Sequence, residues 1–77
     1  MEQTFIDQLK EILEVEDRNL NITDEFRNYP EWDSLGYLEL IAMMDEEYGV
    51  AIETEDFRKL FTLGDLINEI KNRMDKA

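Results

Sequence analysis

The sequence predicts an all-α fold, a small bundle of three main helices plus one short helix, in a single domain spanning residues 1–77. Apolar residues recur at offsets of three and four in three separate stretches. The only proline, Pro30, and three asparagines fall in the one long stretch that lacks this period. An apolar share of 43% with 10% aromatics belongs to a chain that folds, because a disordered acidic chain is depleted in both.

Phe5, Ile6, Leu9, Ile12 and Leu13 trace the first helix, with Thr4 and Asp7 placed as a capping pair at its start. Val15 to Asp33 reads as a long ordered loop, anchored by Leu20, Ile22, Phe26 and Tyr29, with a short turn near Asp24 to Phe26. A loop of this length inside a small domain is more often functional than idle. The helical period returns from Ser34 to Tyr48, where Tyr37, Leu40, Ile41, Met44 and Tyr48 form a core stripe ended by Gly49. Thr54 to Leu60 is a short helical turn that should face Phe57, Leu60 and Phe61 inward. Thr62 and Asp65 form a second capping pair and open the last helix, with Leu63, Leu66, Ile67, Ile70 and Met74 on its inner face. Lys71, Arg73 and Lys76 sit at its C-terminal end, where positive charge suits the helix dipole.

Twenty Asp and Glu against eight Lys and Arg give a net charge of -12, which excludes nucleic acid as a partner, since phosphate binding needs a basic footprint. With no Cys and no His there is no disulfide, no Cys/His zinc site, no catalytic triad and no histidine acid/base, so no metal site and no catalytic residue is expected. A calcium loop of the Asp-x-Asp-x-Asp-Gly type is also absent. No apolar run approaches the roughly 20 residues of a membrane span, and Met1-Glu2-Gln3-Thr4 lacks a basic region followed by an apolar one, so a cytoplasmic monomer is expected.

The acidity is local. Between Arg27 and Arg58 there is no Lys or Arg, while nine acids fall there, so nine of the twelve net charges belong to the middle of the chain. In the second helix, Leu35, Leu38, Ala42 and Met43 lie off the core stripe, among Glu39, Asp45 and Glu46. Tucked under the preceding loop, the two leucines would be core. Left exposed, they make a docking surface of small apolar contacts ringed by carboxylates, suited to a partner with a basic groove and apolar pockets.

Glu31-Trp32-Asp33-Ser34-Leu35-Gly36 leads into this helix. Asp33 or Ser34 alone would be an ordinary N-cap. Joined to Leu38-Glu39-Leu40-Ile41, to Asp45-Glu46-Glu47-Tyr48-Gly49-Val50, to Ile52 and to the Thr62–Ile70 helix, the Asp-Ser-Leu triplet resembles the acyl carrier protein family, which also includes peptidyl and D-alanyl carriers. The resemblance runs from about Phe5 to Arg73.

It implies a carrier and not an enzyme. The serine matching Ser34 would receive 4'-phosphopantetheine from coenzyme A, delivered by a phosphopantetheinyl transferase, and the terminal thiol of that arm would hold the cargo as a thioester. Asp33 would take a share of a Mg²⁺ ion during transfer or cap the helix. The implied partners are the transferase, an acyl- or aminoacyl-loading ligase and downstream synthase or transferase enzymes with basic docking grooves. The missing His and Cys agree, because base and sulfur would both come from elsewhere. Trp32 before Asp-Ser departs from many fatty-acid carriers and looks more like carriers of specialised pathways. Gly36, unfavourable in a first helical turn, would fit a solvent-facing site kept clear beside the arm. Tyr37, Met44, Phe57 and Phe61 would fill the slot in which family members can hold an acyl chain, which suggests a short acyl or aminoacyl cargo. The competing class is an unmodified acidic helical module that docks on a basic partner, with Ser34 only a cap.

Overall fold

Amphipathic spacing sets the helices in the order α1 (Glu2–Leu13), α2 (Ser34–Tyr48), α3 (Thr54–Phe57) and α4 (Leu63–Asp75), with a 3₁₀ turn over Phe26–Asn28. The computed structural model describes residues 2–75, and no strand occurs among them. Phe5 and Leu9 of α1, Leu40 and Met44 of α2, and Leu63, Leu66 and Ile70 of α4 are fully buried together with Phe26 from the loop.

The N-terminal cap read from Thr4 and Asp7 does not form. α1 already runs through Thr4, and Asp7 instead accepts a hydrogen bond from the Gln3 side chain at 2.8 Å. Glu2 and Gln3 are good helix formers, and the Glu2 charge suits the helix N-terminus, so the helix starts earlier. Its other end turns with the same hand as the end of α2. Glu14 (φ 57°) and Gly49 (φ 66°) both turn left-handed, and the next amides, of Val15 and Val50, donate back to Lys10 and Met44 at 2.9 and 3.1 Å. Both valines are buried, but the closures differ: at α1 the Glu14 amide donates to Glu11 and Val15 to Lys10, the Schellman pair, whereas at α2 Gly49 donates to Asp45 and Val50 reaches one residue further back, to Met44.

The long loop is ordered by polar contacts. Asp24 accepts from the Asn21 amide (2.9 Å) and the Tyr29 hydroxyl (2.7 Å), which hold its carboxyl below the usual range. Arg18 forks onto Glu31 at 2.7 and 2.9 Å, the strongest influence holding that carboxyl low. Backbone amides of Phe26, Leu63 and Gly64 donate to Phe61, Asp24 and Ile22, stitching the loop to the α3–α4 junction.

The expected turn at Asp24 to Phe26 lies slightly later, as the 3₁₀ turn. α3 is shorter than expected, ending at Phe57, and only Phe57 and Leu60 of the expected trio turn inward. Phe61 is 54% exposed because its backbone is held by Phe26 and by the Asp65 cap while its ring lies at the surface near Arg27. Met74 is also exposed, since no core residue lies beyond Ile70 among the described residues. The Thr62–Asp65 cap forms in both directions: Asp65 donates to Thr62 Oγ1 and accepts from the Phe61 and Thr62 amides, which lower its pKa. Arg73 contributes as a tether, donating to Glu69, Asp56 and the Ala51 carbonyl at 2.7, 3.0 and 2.8 Å. Lys76 lies outside the described residues.

Candidate functional site

Asp33, extended in backbone, is the N-cap of α2, and its Oδ1 accepts from the Gly36 amide at 2.8 Å. Its second oxygen has no partner among the described residues. Capping therefore uses half of the carboxylate and leaves half for another role. Ser34, the first residue of α2, is exposed, and its hydroxyl makes no hydrogen bond with any described residue. The amides of Ser34 and Leu35 precede the first intrahelical donor and likewise take no protein partner. A free hydroxyl beside two free amides at the positive end of a 15-residue helix fits an attached phosphodiester.

Gly36 has a different reason from the one its sequence position suggests. It is buried, and a Cβ there would stand 3.3 Å from Leu13 Cδ2 and 3.4 Å from Asp33 Oδ1. The glycine lets the end of α1 pack under the start of α2 and thereby fixes the Asp33 cap; it does not clear space on the solvent side.

Beside Ser34 opens a pocket of about 500 Å³, lined by Trp32, Tyr37, Thr54 and Phe57, with Asp33, Arg27 and Arg58 at its edges. Its wall is an aromatic cluster. Phe57 lies edge-on to Tyr37 (4.9 Å) and Phe26 (5.5 Å), Trp32 meets Phe26 at 5.0 Å, and Trp32 and Phe57 are nearly parallel at 6.3 Å. The Tyr37 hydroxyl reaches Thr54 Oγ1 at 3.5 Å. Phe57 and Met44 are buried and Tyr37 is half-buried; Phe61, expected with them, does not line the pocket.

Arg27 and Arg58 carry no role that their sequence positions suggest, yet they bound the stretch without bases, and the fold brings both to this pocket. Arg27 donates to the Leu60 carbonyl and, at 2.8 Å, to the Phe57 carbonyl, closing the C-terminal end of α3, and lies over the Phe26 and Phe57 rings.

On the outer face of α2, Leu35 and Leu38 are 63% and 61% exposed, so they do not tuck under the loop. Ala42, Glu39, Asp45 and Glu46 are exposed with them, while Met43 is half-buried against the edge of the core. Among the described residues none of these acids is in an ion pair, and within the base-free stretch only Glu31 and Asp56 are, with Arg18 and Arg73. Asp45, Glu46 and Glu47 crowd the C-terminal end of α2, which has no basic residue in its last turn. Negative charge there opposes the helix dipole and costs stability.

The chain matches the family described as the phosphopantetheine attachment site over residues 3–70. It is 30% identical over 73 residues to an acyl carrier protein homolog of Mycoplasma genitalium, covering 90% of this chain and 87% of that protein. To an acyl carrier protein of Nitratidesulfovibrio vulgaris it is 44% identical over 41 residues, 53% of this chain and 54% of the relative. No solved structure matches it significantly.

Proposed function

From the premise that this chain belongs to the phosphopantetheine attachment-site family and is a carrier protein of the acyl carrier kind, we propose that Ser34 is its attachment residue and the outer face of α2 its docking surface. It is a carrier and not an enzyme, and its prosthetic group is 4'-phosphopantetheine. When bound, that group supplies a terminal thiol that holds cargo as a thioester.

The observation that carries the assignment is the Ser34 hydroxyl, exposed and uncommitted beside the free amides of Ser34 and Leu35. With no His in the chain, the proton of that hydroxyl passes to a base on a phosphopantetheinyl transferase. Asp33 keeps Gly36 capped with one oxygen and offers the other to a Mg²⁺ ion during transfer. Leu35, Leu38 and Ala42, with Met43 at their edge and Glu39, Asp45 and Glu46 around them, meet basic grooves on the transferase, on a loading ligase and on downstream synthases or transferases. The stability given up at the acidic end of α2 supports a face shaped for partners.

The cargo is a short acyl or aminoacyl group, because the pocket of about 500 Å³ beside Ser34 ends on the buried Phe57 ring, so a long alkyl chain would enter the core only by displacing that ring. We read residues 1–77 as one carrier domain, monomeric and cytoplasmic; among the described residues no helix is long and apolar enough to cross a membrane. Incubation with a transferase, coenzyme A and Mg²⁺, followed by intact-mass measurement, tests the attachment. The protein should gain one phosphopantetheine group and Ser34→Ala none; no gain, or a gain that survives Ser34→Ala, overturns it.

A further inference from the structure

The pocket beside Ser34 has the opposite sign to the protein around it. Two guanidinium groups, Arg27 and Arg58, face a single carboxylate, Asp33, in a chain of net charge -12. Arg27 is committed to the Phe57 and Leu60 carbonyls and to the rings beneath it. Arg58 is not committed: it is exposed and makes no ion pair and no side-chain hydrogen bond with any described residue. Lys10, Lys59 and Lys71 likewise make no ion pair with any described residue, but of these unpaired bases only Arg58 lines the pocket. Asp56, two residues before it, is drawn instead to Arg73.

We propose that this pocket is a resting site for the prosthetic arm, in which Arg58 pairs with the phosphodiester on Ser34 and the Trp32, Tyr37 and Phe57 rings line the path of the pantetheine chain. The proposal rests on the assignment of Ser34 above. A phosphodiester carries one negative charge at neutral pH and presents oxygens that a planar guanidinium can bind in a forked pair. Asp33, the residue before Ser34, repels that charge, and Arg58 is the uncommitted cation at the same pocket that offsets it. Beyond the phosphate, the methyl and methylene groups of the chain suit an aromatic wall, and a volume of about 500 Å³ is that of a small-ligand site. The arm thus has a docked position on its own carrier, from which a partner with a more basic surface draws it.

Trp32 is the only tryptophan, so it reports on this pocket without labelling. Apo-protein is converted to the free-thiol holo form, with attachment followed by intact mass, and Trp32 emission and the ³¹P resonance are compared across wild type, Arg58→Gln and Arg58→Lys. In wild type, emission should change on conversion, and the ³¹P resonance should differ from that of urea-unfolded holo-protein. Both effects should be lost in Arg58→Gln and largely kept in Arg58→Lys, with circular dichroism equal in all three. If mass is added but emission and resonance are the same in wild type and Arg58→Gln, the resting site is refuted and Ser34 stands. If no mass is added, both fail. A response absent from the free-thiol form, and seen only after loading a carboxylate-bearing acyl group, would place the anion on the cargo and overturn the assignment to the phosphodiester.

Discussion

Loading the arm with an octanoyl group in place of acetyl sets the aromatic wall against the hydrophobic effect. At about 0.8 kcal/mol per buried CH₂, burying an octanoyl tail would contribute about 5 kcal/mol. In a domain of this size, where each kcal/mol moves the Tm by about 4–8 °C, that is a rise of roughly 20 °C or more. Against it stands the wall. Phe57 is 4% exposed and touches Phe26, Tyr37 and Trp32, so carrying a chain past the pocket into the core means turning Phe57 out. Exposing such a ring forfeits about 1.5–3 kcal/mol of burial. Breaking each ring–ring pairing costs about 0.5–1.5 kcal/mol more. With three pairings the loss for Phe57 is about 3–7.5 kcal/mol, which brackets the gain, so octanoyl- and acetyl-loaded protein should melt within about 3 °C of each other, less than 1 kcal/mol. Hydroxylamine should cleave the two thioesters at equal rates. Tyr37→Ala opens the entrance while leaving Phe57 in place, and in that variant octanoyl should stabilise. A large octanoyl-dependent rise in Tm, or slowed cleavage, in the unmodified sequence would refute the reasoning.

Glu14→Gly removes left-handed strain of about 1–2 kcal/mol while adding glycine's entropy of about 0.5–1 kcal/mol, so urea unfolding should show a net gain of up to about 1.5 kcal/mol. Gly49→Ala, in the matching position with nothing within 4 Å of its Cβ, should lose a similar amount. Asp65→Ala should lose about 1 kcal/mol of cap at pH 6. Because the folded pKa of Asp65 is depressed, its charged form stabilises the fold above the ordinary value of 3.8, and the gap between wild type and variant should close as pH falls below it; urea titrations at pH 6 and pH 3 that show an equal gap would contradict this. Glu39→Lys with Glu46→Lys should leave thermal stability equal or slightly higher, since a base near the end of α2 suits the dipole, while transferase turnover of the double variant should fall at least tenfold.

Periodicity is enough for α2 and α4 because their apolar stripes coincide with a cap and a stop: Gly49 at one end of α2, Thr62 with Asp65 at the start of α4. The start of α1 misleads, since Thr-x-x-Asp is a capping signal only where the helix actually begins, and Glu2 and Gln3 extend it past that point. Its end at Leu13 is legible from the spacing, but its cap is not, since Glu14 takes a conformation that sequence reading reserves for glycine. Phe61 shows a different limit. A helical wheel assigns it inward, but α3 stops at Phe57, and beyond that the backbone follows its contacts with Phe26 and Asp65. At the candidate site, Asp33, Ser34 and the α2 face are contiguous in sequence and so can be read together. Arg27 and Arg58 are 31 positions apart and meet only through the fold; their one trace in the sequence is that they bracket the acidic stretch.

Two arginines from different parts of the chain hold α3. Four residues are too few to sustain a helix, so α3 depends on Arg27 at its last carbonyls and on Arg73, which reaches Asp56 within it and Ala51 before it. Its folding is therefore a property of the loop and of the end of α4 more than of its own residues. One tie is to neutral carbonyls and the other includes an ion pair, so they respond differently to ionic strength. Rising salt loosens the side facing α4 first, and amide exchange in Thr54–Phe57 would then quicken ahead of exchange in the core of α2. The shortest helix becomes the part of the carrier whose opening its neighbours set.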